Sequence, residues 1–349
     1  MSAFAIYRLP YADHCIRVEQ TDGEPAELRL CTELNGRSGF VVAPFDITPE
    51  QPILLIRPDK VETMPCEGGE SGGQVSDWVE DRNHATCPPD PLYAIDFANY
   101  HAQLEVGLFR KIVLARCADE QTPQPIEPMA LFRCACERYP RMFISLVYTE
   151  KSGYWLTATP EILLEKKDAQ WRTIALAGTM KLEGEQLNGE GETLSWSTKN
   201  IQEQRIVATY ITECLEKFTG DFQEEGPRTV RAANLVHLRS DFTFTLPDSD
   251  HLGDLLHTLH PTPAVCGLPK RDTFNFIIRN EYAPRRYYSG FMGPLGEQTN
   301  LYVSLRCMNI EGNRYHLYAG GGLLKDSTEE QEWQETEAKL ETMRSLLYV

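Results

Sequence analysis

The sequence predicts an α+β protein in which antiparallel strands dominate. Short strand-like runs separated by turn residues recur along the chain, and they do not alternate with helices in the order of a parallel sheet. The 349 residues are 42% hydrophobic and 24% charged, which is enough apolar material for a large globular core. We predict one domain over residues 1–349. Residues 1–90 form a divergent N-terminal part with a flexible, Gly- and Ser-rich loop at about 65–91, and residues 92–349 carry the motifs.

Hydrophobic periodicity and turn residues predict the individual elements in order. The clearest element is a helix at 198–218, whose apolar residues recur with a 3.6-residue period. Two strand-like runs at 39–44 and 52–57 precede the predicted loop. The elements after the loop are a helix at 91–106, a strand at 109–117, a helix at 128–139, strands at 142–149, 153–159, 162–166 and 171–177, the helix at 198–218, strands at 229–238 and 242–246, helices at 251–258 and 270–281, strands at 287–292, 301–310 and 315–319, and a C-terminal helix.

The net charge of −17 argues against two classes of partner, because such a surface repels nucleic acids and anionic membranes. The N-terminus has no basic region followed by an apolar core, and no stretch approaches the ~18–20 apolar residues of a membrane span, so we expect neither a signal peptide nor a transmembrane helix. The ten cysteines include no C-x-x-C pair, which disfavours a zinc or redox motif. Several of them lie in apolar runs, as is typical of proteins in the reducing cytoplasm, and we predict a cytoplasmic protein.

The C-terminal helix carries a charged stripe beside an apolar one. Ser327 and Glu330 fit a capping box, which predicts where this helix begins. Glu332, Glu335 and Lys339 fall on one face of it, next to a mostly apolar face. Such a stripe could hold a divalent cation and an anionic substrate. The alternative is a solvated acidic helix face.

Three charged residues lie where the pattern predicts a core. Lys111 shares its strand face with apolar residues, so it is either a desolvated general base or a lysine that guards a sheet edge. Glu161 follows a Thr-Pro turn and is either a protonated general acid or a carboxylate that faces water. Glu203 lies on the apolar side of helix 198–218, so its charge must be paired with Mg²⁺ or with a Lys or Arg.

Groups that bind anions occur on the predicted strands. His237 and Arg306 lie within strand-like runs, and an inward-facing Arg in a strand often binds a carboxylate through two parallel hydrogen bonds. Gly320 and Gly322, in a triplet after the strand at 315–319, let an anion approach backbone N–H groups. The alternative for the His and the Arg is a structural role.

A series of short segments resembles the chorismate-utilising enzymes, and most closely the isochorismate synthases. The segments follow the family order over roughly residues 92–349, and the ordered set is far more specific than any one of them. They are Arg110-Lys-Ile-Val-Leu-Ala-Arg116, Ala158-Thr-Pro-Glu-Ile-Leu-Leu164, Leu176-Ala-Gly-Thr179, Lys199-Asn-Ile-Gln-Glu-Gln204, Val236-His-Leu238, and the segments at 259–270, 288–290, 304–307, 317–322 and 332–339.

The resemblance implies a role for each matched position. Lys111 would be the base that activates water for attack at C2 of chorismate, and Glu161 the acid that protonates the departing C4 hydroxyl. Glu203 and Glu335 would hold Mg²⁺, and Glu332 would be a further acidic position lining the metal site. Positions that would contact substrate or line its pocket are Gly178, Thr179, His237, Ala264, Tyr288, Arg306, Gly320, Gly322 and Lys339.

Branch-specific positions favour water as the nucleophile. Family members that use ammonia typically lack a lysine at the position of Lys111 and carry Gly-Thr-x-Ser-Gly-Ala-Pro-Lys where this chain has Pro263-Ala-Val-Cys-Gly-Leu-Pro-Lys270. The aminodeoxychorismate branch has a lysine at the position of Ala177. Salicylate synthases share Lys111 and Glu161 with this chain, but their chains are usually longer.

The chain departs from the family pattern at a few positions. Gln204 replaces the usual His after the metal-site Glu, Cys266 replaces a Gly or Ser, and Gly320-Gly-Gly322 replaces Gly-Ala-Gly. None of these changes removes a matched catalytic group.

The resemblance therefore implies a Mg²⁺-dependent isochorismate synthase in a layered fold of two antiparallel β-sheets flanked by helices. The alternatives are a salicylate synthase of the same family, a non-catalytic chorismate binder, and an aminase with a glutaminase partner. The expected partner is the small molecule chorismate. We expect a monomer or weak dimer without a glutaminase subunit.

Overall fold

Two antiparallel sheets make up most of the computed structural model, which describes residues 2–66, 90–181, 195–232, 235–246 and 251–348. The strands are β1 (Ala3–Arg8), β2 (His14–Gln20), β3 (Ala26–Leu28), β4 (Gly39–Ala43), β5 (Ile53–Ile56), β6 (Lys60–Pro65), β7 (Lys111–Gln121), β8 (Phe143–Thr149), β9 (Gly153–Thr159), β10 (Ile162–Lys167), β11 (Gln170–Lys181), β12 (Phe222–Ala232), β13 (Leu235–Phe244), β14 (Gly267–Leu268), β15 (Phe291–Leu295), β16 (Asn300–Val303), β17 (Cys307–Glu311) and β18 (Arg314–Leu323). The helices are α1 (Pro91–Glu105), α2 (Pro128–Arg138), α3 (Thr198–Leu215), α4 (Leu252–Leu259), α5 (Lys270–Asn280) and α6 (Glu329–Arg344).

Each sheet combines strands from both ends of the chain. Within the described ranges the first sheet has the order β14-β7-β18-β17-β9-β8-β1-β2-β6, and the second has the order β12-β13-β11-β10-β16-β15-β4-β5-β3. Neighbouring strands run antiparallel, as in the pairings of β7 with β18, β1 with β8 and β4 with β15. The N-terminal strands β1 and β4 therefore pair directly with strands of the motif-bearing part.

The packing forms four layers. Trp155 of β9 and Tyr302 of β16 belong to a core of side chains from both sheets, which fills the space between them. A second core joins the outer face of the second sheet to α3 and α4, where Leu255 is fully buried. A third joins the outer face of the first sheet to α2 and α6, through residues such as Leu340. The predicted arrangement of two antiparallel sheets flanked by helices is confirmed.

Sheets covered on both faces explain the continuous apolar runs in the sequence. In β4, Phe40 and Val42 point into the core between the sheets, whereas Val41 and Ala43 point to the helix-covered face. Since both faces are buried, these strands lack the polar alternation of a half-exposed strand. The predicted helices are confirmed, with ends that shift by up to three residues.

The predicted strand at 301–310 is wrong, because two strands in different sheets occupy it. β16 belongs to the second sheet and β17 to the first, and residues 304–306 connect them. Arg306 takes a left-handed φ of 43° in this crossing. The connection is only three residues long, Ser304-Leu-Arg306, and contains no Gly or Pro, so the local pattern does not separate the two strands.

Further strand boundaries differ from prediction, and the strand predicted at 287–292 is observed at Phe291–Leu295. The predicted run at 229–238 covers the end of β12 and the start of β13, which pair with each other antiparallel. The glycine triplet at 320–322 does not follow a strand, because it lies inside β18 and pairs with β7. The loop predicted at about 65–91 lies mostly outside the described residues.

Two of the described cysteines form a disulfide. Cys15 and Cys66 form a disulfide with a Cα–Cα distance of 5.6 Å, which the sequence spacing did not predict. The other described cysteines are free, and most of them are buried.

None of the described helices is long and apolar enough to cross a membrane.

Gly293 is expected to be essential to the second sheet. It lies in β15 with a φ of 145°, and a Cβ there would lie 1.9 Å from the carbonyl oxygen of Asn300 in the paired strand. Replacing Gly293 by Ala should therefore lower the free energy of unfolding by roughly 2–5 kcal/mol, measured by urea denaturation.

Gly312 provides a matched control for that substitution. It has a φ of 66°, but no heavy atom lies within 4 Å of the position that a Cβ would take. Gly312→Ala should cost only the backbone strain, about 1 kcal/mol. Equal losses at both positions would show that the close contact at Gly293 has no effect.

Candidate active site

One cavity, with an empty volume of about 610 Å³ that is partly open to solvent, lies where the two sheets meet α3 and α6. Of the predicted site residues, all except Lys111, Glu332 and Glu335 line it directly. The lining residues are Val113, Glu161, Leu176, Ala177, Gly178, Thr179, Glu203, His237, Ala264, Val265, Tyr288, Leu305, Arg306, Tyr318, Ala319, Gly320, Gly322 and Lys339.

Lys111 forms a buried ion pair next to this cavity. It is fully buried at the start of β7, and its Nζ lies 2.8 Å from Oε1 of Glu203 on α3. β7 lies between β14 and β18, so Lys111 does not guard a sheet edge. Glu203 therefore pairs with a basic side chain, which is one of the two predicted partners.

A glycine leaves space for the Glu203 carboxylate, and nearby lysines keep that carboxylate ionised. A Cβ at Gly322 would lie 2.1 Å from Oε1 of Glu203, so only glycine leaves room for the carboxylate. Burial alone raises the pKa of Glu203, but the positive charges of Lys111, Lys199 and Lys339 lower it overall. Glu203 is therefore held ionised although it is buried.

Glu161 has the properties of a proton donor at neutral pH. It is buried at the turn between β9 and β10, which excludes the alternative of a carboxylate facing water. Burial raises the pKa of Glu161 to about 7, against the opposing effect of the charges of Lys111, Arg306 and Lys339. Near pH 7 the group can thus hold a proton and release it.

Arg306 and His237 form a second polar unit in the cavity. Nη2 of Arg306 lies 2.6 Å from Nε2 of His237, and Nδ1 of His237 lies 3.0 Å from the carbonyl oxygen of Gly178. Since a guanidinium only donates, Nε2 must accept, and the proton of His237 is on Nδ1. Burial, reinforced by the charges of Arg306 and Lys339, lowers the pKa of His237 well below its usual value, so the ring is neutral.

The remaining donors of Arg306 are available to an anion. Its Nε and Nη1 are buried without a hydrogen-bond partner among the described residues. A buried guanidinium with two unsatisfied N–H groups is well suited to a carboxylate. The left-handed φ of Arg306 is consistent with a functional position, because such strain concentrates at binding sites.

A β-bulge positions the wall opposite Arg306. The pairing of β11 with β13 shifts register between Ala177 and Thr179, and Gly178 takes a φ of 75°. The bulge directs the Gly178 carbonyl towards His237 and places Thr179 Oγ1 3.4 Å from the same ring nitrogen.

Across the cavity, Gly320 makes room for a phenol. A Cβ at Gly320 would lie 2.7 Å from the hydroxyl oxygen of Tyr288, so this glycine allows the Tyr288 side chain to reach the cavity.

Helix α6 adds two more ion pairs. Nζ of Lys339 lies 2.7 Å from Oε1 of Glu335 and donates to the carbonyl oxygen of Gly320 at 2.9 Å. Glu332 is fully buried, and its Oε1 pairs with Lys199 of α3. The charged stripe of α6 therefore faces the site and not solvent.

The predicted capping box at the start of α6 is wrong. The N-cap is Thr328, which makes no side-chain cap hydrogen bond. Ser327 Oγ instead donates to Oε1 of Glu332 at 2.7 Å, so this hydroxyl holds a site carboxylate. The S-x-x-E pattern cannot distinguish these two uses of a serine.

One carboxylate oxygen on α6 is left without a partner in the part of the chain that the structure describes. Oε2 of Glu332 is buried without a hydrogen-bond partner among the described residues. Burial and then the negative charge of Glu335 raise the pKa of Glu332 to about 7, so the site is short of positive charge at this point. Carboxylate oxygens are the ligands that Mg²⁺ prefers, and the residues that would hold it are Glu203, Glu335 and Glu332.

Lys199 is a functional candidate that the sequence interpretation did not assign. It lies four residues before Glu203, one turn away on the same helix, and this i, i+4 spacing was the available signal. Apolar and aromatic residues that line the cavity, such as Tyr318 and Leu176, could not be predicted from the local sequence. Only the pairing of strands that are distant in sequence brings them to the cavity.

Fold and site together define a cavity for a small anionic molecule, and comparison identifies the family. The chain belongs to the chorismate binding enzymes, whose family description matches residues 84–348. Within that family its similarity is to the isochorismate synthases, which confirms the predicted resemblance.

Individual relatives support this placement. The chain is 34% identical over 244 residues to isochorismate synthase MenF of Escherichia coli, a match that covers 69% of this chain and 56% of the relative. It is 28% identical over 308 residues to isochorismate synthase EntC of the same organism, covering 86% and 78%. The crystal structure of MenF, the menaquinone-specific isochorismate synthase from Escherichia coli, superposes with a TM-score of 0.79 at 26% identity, covering 99% of this chain and 89% of that one. The chain thus spans little more than half the length of one of these curated relatives and about four fifths of the other.

Proposed function

We propose that this protein is a Mg²⁺-dependent isochorismate synthase, which converts chorismate to isochorismate. The observation that carries the proposal is a buried carboxyl group in the cavity lining with a pKa of about 7, together with a fully buried lysine that lies against Gly322 of the same lining. Moving a hydroxyl between two ring carbons requires one group that takes a proton and one that gives a proton. A protein that only binds chorismate needs no such pair.

Lys111 and Glu161 divide the proton transfers in this proposal. In its deprotonated form, Lys111 accepts a proton from the water that attacks C2 of chorismate. Glu161 donates its proton to the C4 hydroxyl, which leaves as water. One water is consumed and one is released, so substrate and product are isomers.

The cations of the cavity bind the carboxylates of the substrate. Arg306 offers two unpaired N–H groups, and Lys339 lies beside them in the lining. Tyr288, Gly320 and Gly322 shape the same wall. His237, neutral and fixed by Gly178, holds the Arg306 guanidinium in place.

Mg²⁺ is the proposed cofactor, held by Glu203 and Glu335 with Glu332 beside it. When bound, it supplies positive charge that offsets the repulsion between a dianionic substrate and an acidic protein. We further propose that the enzyme is cytoplasmic, that it acts on a small molecule, and that it works without a glutaminase subunit.

Mg²⁺ should raise the thermal unfolding midpoint of the substrate-free protein, because a ligand that binds only the folded state stabilises it by about 2.7 kcal/mol at 100 times its dissociation constant. Glu335→Gln should remove most of this rise. Glu330→Gln is the matched control, since Glu330 is exposed on the same helix and should leave the rise unchanged. A full rise in Glu335→Gln would count against Glu335 as a ligand.

The reaction itself is tested by incubating the protein with Mg²⁺ and chorismate and separating the products by chromatography. Isochorismate is the expected product, and its absence at all protein concentrations would overturn the proposal. Release of pyruvate with salicylate would instead identify the salicylate synthase alternative. A product that requires ammonium would identify an aminase, and chorismate binding without any product would identify a binder.

A further inference from the structure

A cluster of three potential metal ligands lies outside the proposed active site. Cys117 and Asp119 are two residues apart on β7, so they share one face of the first sheet. His316 of β18 is the direct cross-strand partner of Asp119. One ligand atom from each of the three side chains lies within 4.8 Å of the other two.

The measured distances place these atoms around one point. Oδ1 of Asp119 lies 3.8 Å from Sγ of Cys117 and 2.6 Å from Nδ1 of His316. Zinc bonds to S, N and O ligands are about 2.0–2.3 Å long, so neighbouring ligand atoms in a tetrahedral site lie roughly 3–4 Å apart. Small rotations of the Asp119 and His316 side chains would reach that spacing, and the sheet holds their backbones rigidly.

The second ring nitrogen of His316 lies near a carboxylate. Nδ1 lies 2.6 Å from Oδ1 of Asp119 and is the nitrogen directed towards the cluster, whereas Nε2 lies 3.7 Å from Oε2 of Glu311, too far for a hydrogen bond. Histidines that bind metals usually donate from their other nitrogen to a carboxylate, and a small movement of the exposed Glu311 side chain would form that bond. Glu311 also pairs with Arg286, whose Nη1 lies 3.6 Å from Oε1 of Glu311.

We propose that Cys117, Asp119 and His316 bind Zn²⁺. Sulfur, nitrogen and oxygen from these three residue types form a zinc ligand set. The Asp119 side chain is 77% exposed, so a water molecule can take the fourth position. The ligands come from two strands that are distant in sequence, which is why no zinc motif is visible in the sequence. The site is distinct from the proposed Mg²⁺ site, although Tyr318, the cross-strand partner of Cys117, lines the active-site cavity.

Cobalt provides the direct test, because Co²⁺ bound to a thiolate gives a charge-transfer absorption that carboxylate ligands do not give. Reduced, metal-free full-length protein is titrated with Co²⁺, and Zn²⁺ is then added in competition. The expected result is a thiolate-to-cobalt band that saturates at one equivalent and disappears when Zn²⁺ is added.

Single substitutions locate the site. Cys117→Ser should remove the band, and His316→Asn should weaken Co²⁺ binding at least ~10-fold. Cys134→Ser, a free and partly exposed cysteine on α2, should change nothing. Cys136→Ser is the stricter control, because Cys136 lies within 4.8 Å of Cys15 and Cys66 and could form a rival thiol site in reduced protein.

The outcomes separate cleanly. The proposal is overturned if no thiolate band forms, if the band survives Cys117→Ser, or if Cys136→Ser removes it. Thermal unfolding without metal shows whether each variant is folded. If Cys117→Ser is not folded, Cys117→Ala takes its place with the same expected loss of the band. These residues are outside the proposed chorismate site, so the result is independent of whether isochorismate is formed.

Discussion

Replacing Glu161 by Gln is expected to lower kcat by about 10²–10⁴-fold, because the variant lacks the proton that the departing hydroxyl needs. The amide has the size of the carboxyl group, so the cavity keeps its shape and chorismate binding should remain. The measurement is the rate of isochorismate formation under saturating chorismate and Mg²⁺. In the wild type the rate should fall as pH rises above about 7, where Glu161 loses its proton.

Glu165→Gln is the matched control for that substitution. Glu165 lies on β10 four residues away and pairs with Arg172 outside the cavity lining. This variant should turn over at a normal rate. Full activity in Glu161→Gln would exclude Glu161 as the acid, whatever the control shows.

Glu161→Gln is also expected to change the free energy of unfolding in a pH-dependent way. The pKa of Glu161 is about 7 in the folded protein and 4.5 as its ordinary value, so between these values the folded state binds more protons than the unfolded state. Its contribution to stability is therefore present below about pH 4.5 and is lost as pH rises towards 7, by about 3 kcal/mol in total. Glu161→Gln should be the more stable protein at pH 8 and should lose this advantage near pH 5, as measured by urea denaturation. A pH-independent difference would show that burial does not raise this pKa.

The fold was predictable where the signal is local. The helix predicted at 91–106 is observed at Pro91–Glu105, because a proline at its start and a periodic apolar face act within the segment. The strand predicted at 301–310 failed at residues 304–306, where the chain passes from one sheet to the other. A change of sheet depends on strand pairing across the whole chain, and no short segment contains that information.

In the candidate site, too, residues related by local helix spacing were predictable and those that depend on strand pairing were not. The charged stripe of α6 was visible from the spacing of Glu332, Glu335 and Lys339, because helix geometry relates them directly. The strand of Lys111 alone favoured a guard at a sheet edge, but the pairing of β7 with β14 and β18 buries this lysine completely. The family resemblance supplied what the local pattern lacked, since it placed Lys111 and Glu203 in one site before their ion pair was known.

Replacing Lys111 by Met is expected to lower the free energy of unfolding by about 3–5 kcal/mol, because it leaves the buried carboxylate of Glu203 without its partner at 2.8 Å. Adding Glu203→Gln removes that charge and should recover most of the loss, so a double-mutant cycle in urea measures how strongly the two residues are coupled. Additive effects would mean that the ion pair does not form in solution.

Lys111→Arg separates the charge of Lys111 from its proposed role as a base. Arginine keeps a positive charge beside Glu203, but it does not release its proton at neutral pH and cannot take one from water. The variant should therefore fold more stably than Lys111→Met and bind chorismate measurably, while isochorismate formation stays about 10²–10⁴-fold below wild type. Normal turnover in folded Lys111→Arg would show that Lys111 only pairs with Glu203, and the base would then have to be sought elsewhere in the cavity. Loss of turnover without loss of binding is the expected result, because Lys111 lies against Gly322 of the cavity lining.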